Sequence, residues 1–284
     1  MRTVGLVPNR DRPVAHDLAR RSVQWLHDHG VTVRIPAAEA QAVGLAECAV
    51  DIDRFCDDLE LVISLGGDGT MLHTAALVYP APVPIVGINA GNLGYLNAYE
   101  AGELELALDR LVRGEFGVSA RSMVECTVTS SGPAAGTWHG LNEVVLEKLG
   151  AGRMVRLEVA IDDRPFTTYS ADGVIVATPT GSTAYSFSAR GPIVSPTARM
   201  LALTPVAPHM LFDRSLALDP SELVGVEVLG HRQVMVSIDG QPLCTLSEGD
   251  RVEVRASAAV AAFVRFADRR FHQILKAKFG LADR

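Results

Sequence analysis

Apolar residues in the first third of the chain occur either in continuous runs or at helical spacing. Residues 3–7 form a short apolar run, and small or apolar side chains then recur every three to four residues. The residues of this helical stripe are Ala15, Leu18, Ala19, Ser22, Val23 and Leu26. Gly30 predicts the end of the helix, because glycine readily adopts the left-handed conformation that terminates many helices. A strand followed by a helix is therefore predicted.

The same alternation continues to about residue 112. Residues 31–35, 61–64 and 84–88 are apolar runs of strand length, and helical spacing returns after Thr70 and over residues 103–112. Strands that alternate with helices are typical of units whose strands lie parallel in one sheet. We therefore predict an α/β domain with a parallel, Rossmann-like sheet.

After about Gly117 the period of the apolar positions changes to two. Alternating segments are residues 124–128, 155–161, 224–228, 234–238 and 252–254. This is the period of a half-buried strand. Turn-forming residues follow several of these segments, at Asp162-Asp163, Asp239-Gly240 and Glu248-Gly249-Asp250. The pattern predicts a mostly-β, sandwich-like domain.

The change of period sets the predicted domain boundaries. We expect an N-terminal α/β domain over residues 1–116, a β-rich domain over residues 117–262, and a final segment over residues 263–284. The final segment mixes basic side chains with aromatic and aliphatic ones, which predicts an amphipathic helix.

Composition narrows the class of partner. The net charge is −7 and the only lysines are Lys148, Lys276 and Lys278, which argues against electrostatic binding of nucleic acid and favours a small molecule. No apolar segment near the N-terminus is long enough for a signal or a membrane span. The cysteines lack the spacing of a metal site, so thiols in a reducing compartment, the cytoplasm, are expected.

The strongest local motif is the sequence GGDGT at residues 66–70. It follows an apolar strand and precedes a helical pattern, where glycines let the backbone approach a phosphate and a helix N-terminus favours anionic oxygen. Asp68 remains to meet a hydroxyl or a metal ion. An ordinary strand-to-helix turn uses the same residue types, so the motif alone leaves both interpretations open. The P-loop, G-x-G-x-x-G and G-x-S-x-G motifs are absent.

Two further segments carry groups suited to a nucleotide. Residues 178–185, TPTGSTAY, follow an apolar strand and are rich in hydroxyl groups, which suit a base, ribose or phosphate. The alternative is a polar surface loop that caps a short helix. Asn142 and Glu143 interrupt an apolar stretch; an amide can contact a base edge and a carboxylate can accept from ribose hydroxyls. A plain strand end or turn would use the same pair.

Together, and in this order, these segments resemble the NAD kinase family. The resemblance rests on GGDGT, on NAGNLGYL at residues 89–96, on Asn142-Glu143 and on DGVIVATPTGSTAY at residues 172–185. It implies an α/β N-terminal domain, a β-sandwich-like C-terminal domain and a final segment that returns to the first domain. The implied activity is Mg²⁺-dependent (or other divalent cation-dependent) phosphorylation of the adenosine ribose 2′-hydroxyl of NAD by ATP, giving NADP.

The resemblance also implies roles for individual residues. Asp68 would be the catalytic residue that acts on the 2′-hydroxyl, and no residues are assigned as metal ligands. The nucleotide contacts would be Gly67, Gly69 and Thr70 at the phosphates, Asn142 and Glu143 at the ribose, Tyr95, Thr180, Thr183 and Ala184 at the adenine, and Tyr185 and Ser188 near the nicotinamide. Asp172 would reach NAD across a subunit interface, which implies a homodimer or homotetramer.

The chain departs from the family pattern at two positions. Arg190 stands where glycine is usual, and Ser215 occupies part of a usual Arg-Pro pair; both affect local loop geometry rather than the fold. Ser170 lies where several ATP-restricted relatives carry arginine and some polyphosphate-using relatives a small residue. Polyphosphate therefore remains an alternative donor.

Three other functions are weighed against NAD phosphorylation. A lipid or sphingoid-base kinase shares GGDGT but needs an apolar cleft, which the hydroxyl-rich segment at residues 178–185 disfavours. A non-catalytic NAD or NADP sensor would be suggested by loss of Asp68, which is intact. A dehydrogenase would require the absent G-x-G-x-x-G motif.

Overall fold

The chain forms two compact units. The computed structural model describes residues 1–91, 94–130, 135–150, 152–267 and 270–281. Unit 1 comprises Met1–Ala120 and Ala261–Arg284, and unit 2 comprises Arg121–Val260. Within the described ranges, no helix combines the length and the apolar character that a membrane crossing needs.

Unit 1 alternates strands and helices, as its hydrophobic pattern predicts. Its elements are β1 (Thr3–Pro8), α1 (Pro13–Asp28), β2 (Thr32–Pro36), α2 (Ala37–Val43), β3 (Ala49–Val50), β4 (Leu61–Gly66), α3 (Asp68–Val78), β5 (Ile85–Asn89), β6 (Tyr99–Glu100) and α4 (Leu104–Val112). The stripe predicted for α1 is its buried face, residue for residue. Pro13 at the start of α1 fits the first helical turn, where a backbone N–H has no partner to lose.

The sheet of unit 1 is parallel. The chain adds β2 and β3 on one side of β1 and then returns to add β4 and β5 on the other side. The strand order of the sheet is β3-β2-β1-β4-β5, with β6 paired to β5. Strands β4 and β5 are buried along their whole length, as central parallel strands usually are. Such a reversal creates a switch point at the carboxyl ends of β1 and β4, where α/β proteins commonly bind ligands. The GGDGT motif lies at that edge.

Unit 2 is built almost entirely from strands. Its elements are β7 (Gly117–Thr129, which begins in unit 1), β8 (Gly136–Gly140), β9 (Glu143–Lys148), β10 (Val155–Ile161), β11 (Arg164–Ala171), β12 (Gly173–Ala177), α5 (Tyr185–Ser188), β13 (Leu201–Val206), β14 (Leu216–Leu218), β15 (Val224–Leu229), β16 (Val234–Ile238), β17 (Gln241–Leu246) and β18 (Arg251–Arg265, which ends in unit 1). The last helix, α6 (Phe271–Phe279), belongs to unit 1.

Two antiparallel sheets enclose the core of unit 2. One contains β11-β10-β15-β18, and the other β14-β13-β12-β9-β16-β17. Apolar side chains from both sheets form one buried cluster that includes Val144, Val176, Leu157 and Val226, which is the core of a β-sandwich. The predicted Asp162-Asp163 and Asp239-Gly240 turns both form, with positive φ at every position, as type I′ hairpin turns require.

Candidate functional site

The GGDGT motif joins β4 directly to α3. Asp68 is the first residue of α3, and Gly67 precedes it in an extended conformation. The helical pattern predicted after Thr70 therefore begins three residues earlier than expected. Asp68, Gly69 and Thr70 occupy the first turn of the helix, where backbone N–H groups and the helix dipole favour anionic oxygen.

The Asp68 carboxylate is held by the loop that follows β5. Its Oδ2 accepts the Tyr95 backbone N–H at 2.8 Å, and its Oδ1 accepts the Leu96 N–H at 3.1 Å. The Asn97 side-chain amide donates to the same Oδ1 at 3.2 Å. A Cβ at Gly94 would lie only 2.0 Å from Oδ1, so glycine is needed for this close approach. The carboxylate is therefore fixed in orientation before any substrate binds.

Thr70 and the motif glycines shape the rest of this edge. The Thr70 side chain is buried, and its Oγ1 accepts a hydrogen bond from Asn9, which follows β1, at 3.1 Å. Gly66 makes room for Thr70, since a Cβ there would lie 2.1 Å from Oγ1. At Gly67 and Gly69, by contrast, a Cβ would meet no described atom within 4 Å. These two glycines leave the backbone open to a close-fitting ligand.

Tyr95 connects the Asp68 loop to the C-terminal helix. The ammonium of Lys278, in α6, lies 3.7 Å from the centroid of the Tyr95 ring, which is a cation–π distance. Burial, and then the charge of Asp68, raise the pKa of the Tyr95 hydroxyl. The helix predicted from the basic C-terminal segment forms, but none of its residues is buried.

In unit 2, Asn142 lies in a bend and Glu143 begins β9; this corner, the Asn142-Glu143 turn, is held by the residue that follows β12. The Thr178 N–H donates to the Asn142 carbonyl at 2.8 Å, and the Thr178 hydroxyl donates to the Leu141 carbonyl at 2.6 Å. A Cβ at Gly181 would lie 2.1 Å from the backbone carbonyl oxygen of Asn142. The segment at residues 178–185 thus packs directly on this turn, which brings two predicted binding segments together.

Glu143 is a buried carboxyl group with an unsatisfied oxygen. Only 5% of the residue is exposed, and Oε2 has no hydrogen-bond partner among the described residues. Burial, and then the charge of Asp239, raise the pKa of Glu143 to about 8, although the Tyr185 backbone N–H acts in the opposite direction. Glu143 is therefore protonated at neutral pH and can both donate and accept a hydrogen bond.

Most of the hydroxyl-rich segment is buried, unlike a polar surface loop, and only Tyr185 at its end is exposed. Thr178, Thr180 and Ser182 are all buried, and Thr183 and Ala184 are partly buried. The Ser182 hydroxyl is used within the fold, since it donates to the Pro179 carbonyl at 2.7 Å. The Thr180 Oγ1, however, has no partner among the described residues. A buried hydroxyl without a partner is costly, so Thr180 is a candidate ligand contact.

Tyr185 runs alongside β9, and Asp172 lies at the opposite end of β12 from Thr178. The Tyr185 hydroxyl donates to Glu147 at 3.5 Å, while Asp172 accepts from the Lys148 ammonium at 2.5 Å. Burial first, and then the charges of Glu147 and Asp172, raise the pKa of Tyr185. Ser188 is exposed at the end of α5.

The structure shows the surroundings of the two departures from the family pattern, Arg190 and Ser215. Arg190 has a φ of 68°, in the left-handed region that glycine adopts without strain, which is why glycine suits this position. The Ser215 hydroxyl lies 2.9 Å from that of Thr204, which in turn lies 3.2 Å from the Ser186 hydroxyl in α5. Ser215 is thus part of a hydroxyl chain in unit 2.

The sequence analysis did not assign a role to three polar side chains that form hydrogen bonds with the predicted site residues. Asn9 contacts Thr70, Asn97 contacts Asp68, and Asp239 accepts from the backbone of residues 141–143. In the sequence each lies at the end of an apolar segment, and Asp239 also belongs to a predicted turn. Among the described residues no group of three or more His, Cys, Asp and Glu side chains could hold a metal ion. A cavity of about 310 Å³ lined by Arg34, Asp51 and Arg54 contains none of the predicted site residues.

Comparisons with known proteins match both halves of the chain to one family. The family model described as the ATP-NAD kinase N-terminal domain matches residues 4–116, and that of the ATP-NAD kinase C-terminal domain matches residues 141–266. The NAD kinase of Heliobacterium modesticaldum is 40% identical over 98% of this chain and 98% of its own length. That of Syntrophotalea carbinolica is 38% identical over the whole of both chains.

Solved structures show the same fold. A crystal structure of yeast NADH kinase complexed with NADH superimposes with a TM-score of 0.91 at 24% identity, covering 100% of this chain and 89% of that one. An NAD kinase from Archaeoglobus fulgidus in complex with ATP gives a TM-score of 0.75, also at 24% identity, covering 99% and 100%.

Proposed function

This chain belongs to the NAD kinase family, and on that premise we propose that it transfers a phosphoryl group from ATP to the adenosine ribose 2′-hydroxyl of NAD, giving NADP. The observation that carries the proposal is the Asp68 carboxylate, fixed by three hydrogen-bond donors at the N-terminus of α3. A hydroxyl nucleophile needs an acceptor held in one orientation, and a phosphoryl donor needs amides that favour negative charge.

Asp68 is assigned the role of orienting the 2′-hydroxyl and accepting its proton. Oδ2 accepts only one bond from the loop after β5, so it keeps a lone-pair site for the 2′-hydroxyl. Gly67, Gly69 and Thr70 are assigned to the donor phosphates, where the first turn of α3 supplies backbone N–H groups. Phosphoryl transfer requires little covalent chemistry from the protein, so positioning and charge stabilisation account for most of the rate.

A divalent cation, Mg²⁺, fits this residue set. Mg²⁺ is ordinarily bound through one or two carboxylates together with substrate phosphates, rather than by an all-protein cage. At this edge the substrate phosphates would supply most of the ligands, so a cluster of protein carboxylates is not needed and no residue is assigned as a metal ligand. When bound, the cation would neutralise charge on the transferring phosphoryl group.

The NAD side is assigned to unit 2 and to Tyr95. Asn142 and Glu143 are assigned to the nucleoside ribose, Thr180, Thr183 and Ala184 to the adenine, and Tyr185 and Ser188 to the nicotinamide side. The support is the pair of buried oxygens, Glu143 Oε2 and Thr180 Oγ1, that have no partner among the described residues. A bound nucleotide would give both atoms hydrogen bonds that the protein does not.

We further propose a homo-oligomer, a cytoplasmic location and the domain division at residues 116/117 and 262/263. The two compact units support the division, since they separate after Ala120 and after Val260. Asp172, partly exposed at the start of β12, is assigned to NAD across a subunit interface. The four cysteines are all free thiols, which agrees with a reducing compartment.

A coupled assay for NADP formation tests the proposed function. Wild type and Asp68→Asn are supplied with NAD, Mg²⁺ and either ATP or polyphosphate, and Asp53→Asn, an exposed aspartate of the same unit, is the control. We expect NADP with ATP from wild type and the control, and a loss of turnover of at least about 1000-fold in Asp68→Asn, whose amide is a weak proton acceptor.

Other results of this assay would contradict parts of the proposed function. Near-normal turnover of Asp68→Asn would remove Asp68 from its role. NAD binding without NADP formation from either donor would favour the sensor, and absence of NAD binding would reopen the lipid kinase. Activity with polyphosphate alone would replace ATP as the donor.

A further inference from the structure

Asp239 occupies a hairpin turn but uses its side chain elsewhere. It and Gly240 join β16 to β17 with φ values of 49° and 77°. Asparagine and aspartate both adopt this conformation in type I′ turns, so the turn itself does not require a charged side chain. The Asp239 Oδ2 accepts the Leu141 N–H at 2.7 Å, and its Oδ1 accepts the N–H groups of Asn142 at 2.7 Å and Glu143 at 3.1 Å.

These contacts complete the hydrogen bonding of the Asn142-Glu143 turn. The Asp239 N–H returns a bond to the Glu143 carbonyl at 3.1 Å, while Thr178 satisfies the carbonyls of Leu141 and Asn142 on the other side. The packing is close, because a Cβ at Gly140 would lie 2.6 Å from Ile238 and 3.0 Å from the Asp239 carboxylate. The backbone that carries Asn142 and Glu143 is therefore restrained by hydrogen bonds on both sides.

The charge of Asp239 has a second effect on this turn. Burial raises the pKa of Asp239, whereas the three backbone N–H donors lower it. The groups that act on Glu143 are this neighbouring carboxylate and the Tyr185 backbone N–H. Asp239 thus adds to the burial that keeps Glu143 protonated. A neutral side chain would hold the turn without this effect.

We propose that Asp239 is a positioning residue for NAD: its carboxylate fixes the backbone of residues 141–143 and thereby the two side chains, Asn142 and Glu143, that meet the nucleoside. The inference rests on the proposed function for the assignment of that ligand. Asp239 acts through its neighbours and does not itself touch substrate.

The variant Asp239→Asn tests the proposal with little change of shape. Asparagine tolerates the positive φ, and its Oδ1 retains two acceptor bonds, but its amide nitrogen would face the Leu141 N–H. We expect the KM for NAD, and the Kd for NAD by calorimetry, to rise about tenfold, the effect of one lost charge-assisted hydrogen bond. The KM for ATP should stay within about twofold.

Asp162→Asn is the matched control. Asp162 also lies in a hairpin turn of unit 2 with positive φ, at 50°, and its Oδ1 accepts a backbone N–H, that of Leu223, at 2.9 Å. Its side-chain and backbone hydrogen bonds in the described structure join it to Leu223 and not to residues 141–143. The control should therefore leave both KM values at the wild-type level, even if it lowers the melting temperature slightly.

The pH dependence of NAD binding distinguishes a positioning role of Asp239 from a role in stability alone. A midpoint near pH 8 is expected in wild type from Glu143, and it should disappear in Glu143→Gln. In Asp239→Asn the midpoint should move to lower pH, because a neighbouring negative charge is removed. A merely structural role would lower the melting temperature without a selective rise in the KM for NAD or a shifted midpoint.

An unchanged Kd and an unchanged midpoint in a folded Asp239→Asn protein would overturn the proposal. If that variant does not fold, Asp239→Ser, which keeps one acceptor, is measured by the same titrations, and wild-type affinity there would also overturn it. Wild-type protein that binds NAD but forms no NADP would contradict the proposed function alone, since the binding titrations would still test Asp239.

Discussion

Three carboxyl groups in two kinds of environment characterise this protein at the scale of single residues. Asp68 and Asp239 each accept hydrogen bonds from backbone N–H groups. Glu143 is buried among apolar strands, and its Oε2 has no partner among the described residues. The sequence identified Asp68 and Glu143 as candidates, but the hydrogen bonds of Asp68 and the burial of Glu143 follow from contacts that only the fold creates.

Glu143→Gln should make stability less dependent on pH. The unfolded chain releases the Glu143 proton near the ordinary value of 4.5, whereas the folded protein keeps it to about pH 8. The free energy of unfolding therefore falls as pH rises from about 4.5 to about 8, because the folded state binds the extra proton. Glutamine has the same shape and no charge to lose.

The melting temperatures of wild type and Glu143→Gln, measured from pH 5 to pH 9, check this prediction. We expect them to be similar near pH 5 and the variant to be higher by several degrees at pH 9. Parallel curves across the whole range would show that Glu143 ionises in the folded protein at its ordinary pKa.

At the scale of elements, more of the candidate site residues lie in loops and short helices than in the strands that these segments connect. The helix after GGDGT begins at Asp68, because the first turn includes the motif itself. The segment at residues 178–185 is buried against the Asn142-Glu143 turn. Neither position is encoded in the local period of apolar residues, since both depend on packing between segments distant in sequence.

Arg190→Gly should stabilise unit 2. Arg190 follows α5 with a φ of 68°, where a side chain with a Cβ costs about 1 kcal/mol relative to glycine. We expect a rise of roughly 2–4 °C in melting temperature. Arg199→Gly is the control, because Arg199 is also exposed in unit 2 but does not have a positive φ. It should lower the melting temperature through the added freedom of the unfolded chain; a fall in Arg190→Gly as well would contradict the assigned strain.

At the scale of the whole molecule, the chain leaves unit 1 after Ala120 and re-enters it at Ala261. Unit 2 is therefore continuous in sequence, whereas unit 1 requires two separate segments. The main buried cluster of each unit consists of residues of that unit alone. This distribution predicts different behaviour when the units are separated.

Residues 121–260 should fold when expressed alone. Both sheets of the sandwich contribute to one buried cluster within these residues, and a domain of this size buries enough apolar surface to be stable. A cooperative thermal transition, followed by circular dichroism, is the expected result. Residues 1–120 alone lack the end of β18, which pairs with β5 through Phe263 and Ile85, and should be less stable. A fragment of residues 121–260 without a transition would show that unit 2 depends on the rest of the chain.

The sequence by itself determined the two periods of apolar residues, and with them the parallel α/β part, the β-rich part and the buried stripe of α1. It also identified the hairpin turns and the family, because these properties depend on neighbouring residues or on motifs of fixed spacing. Only the tertiary structure decided which groups meet: Asn97 donates to Asp68 from 29 residues away, and Asp239 holds the turn at Asn142 from 97 residues away. Such contacts are set by sheet order and strand register, and a single sequence does not specify either one locally.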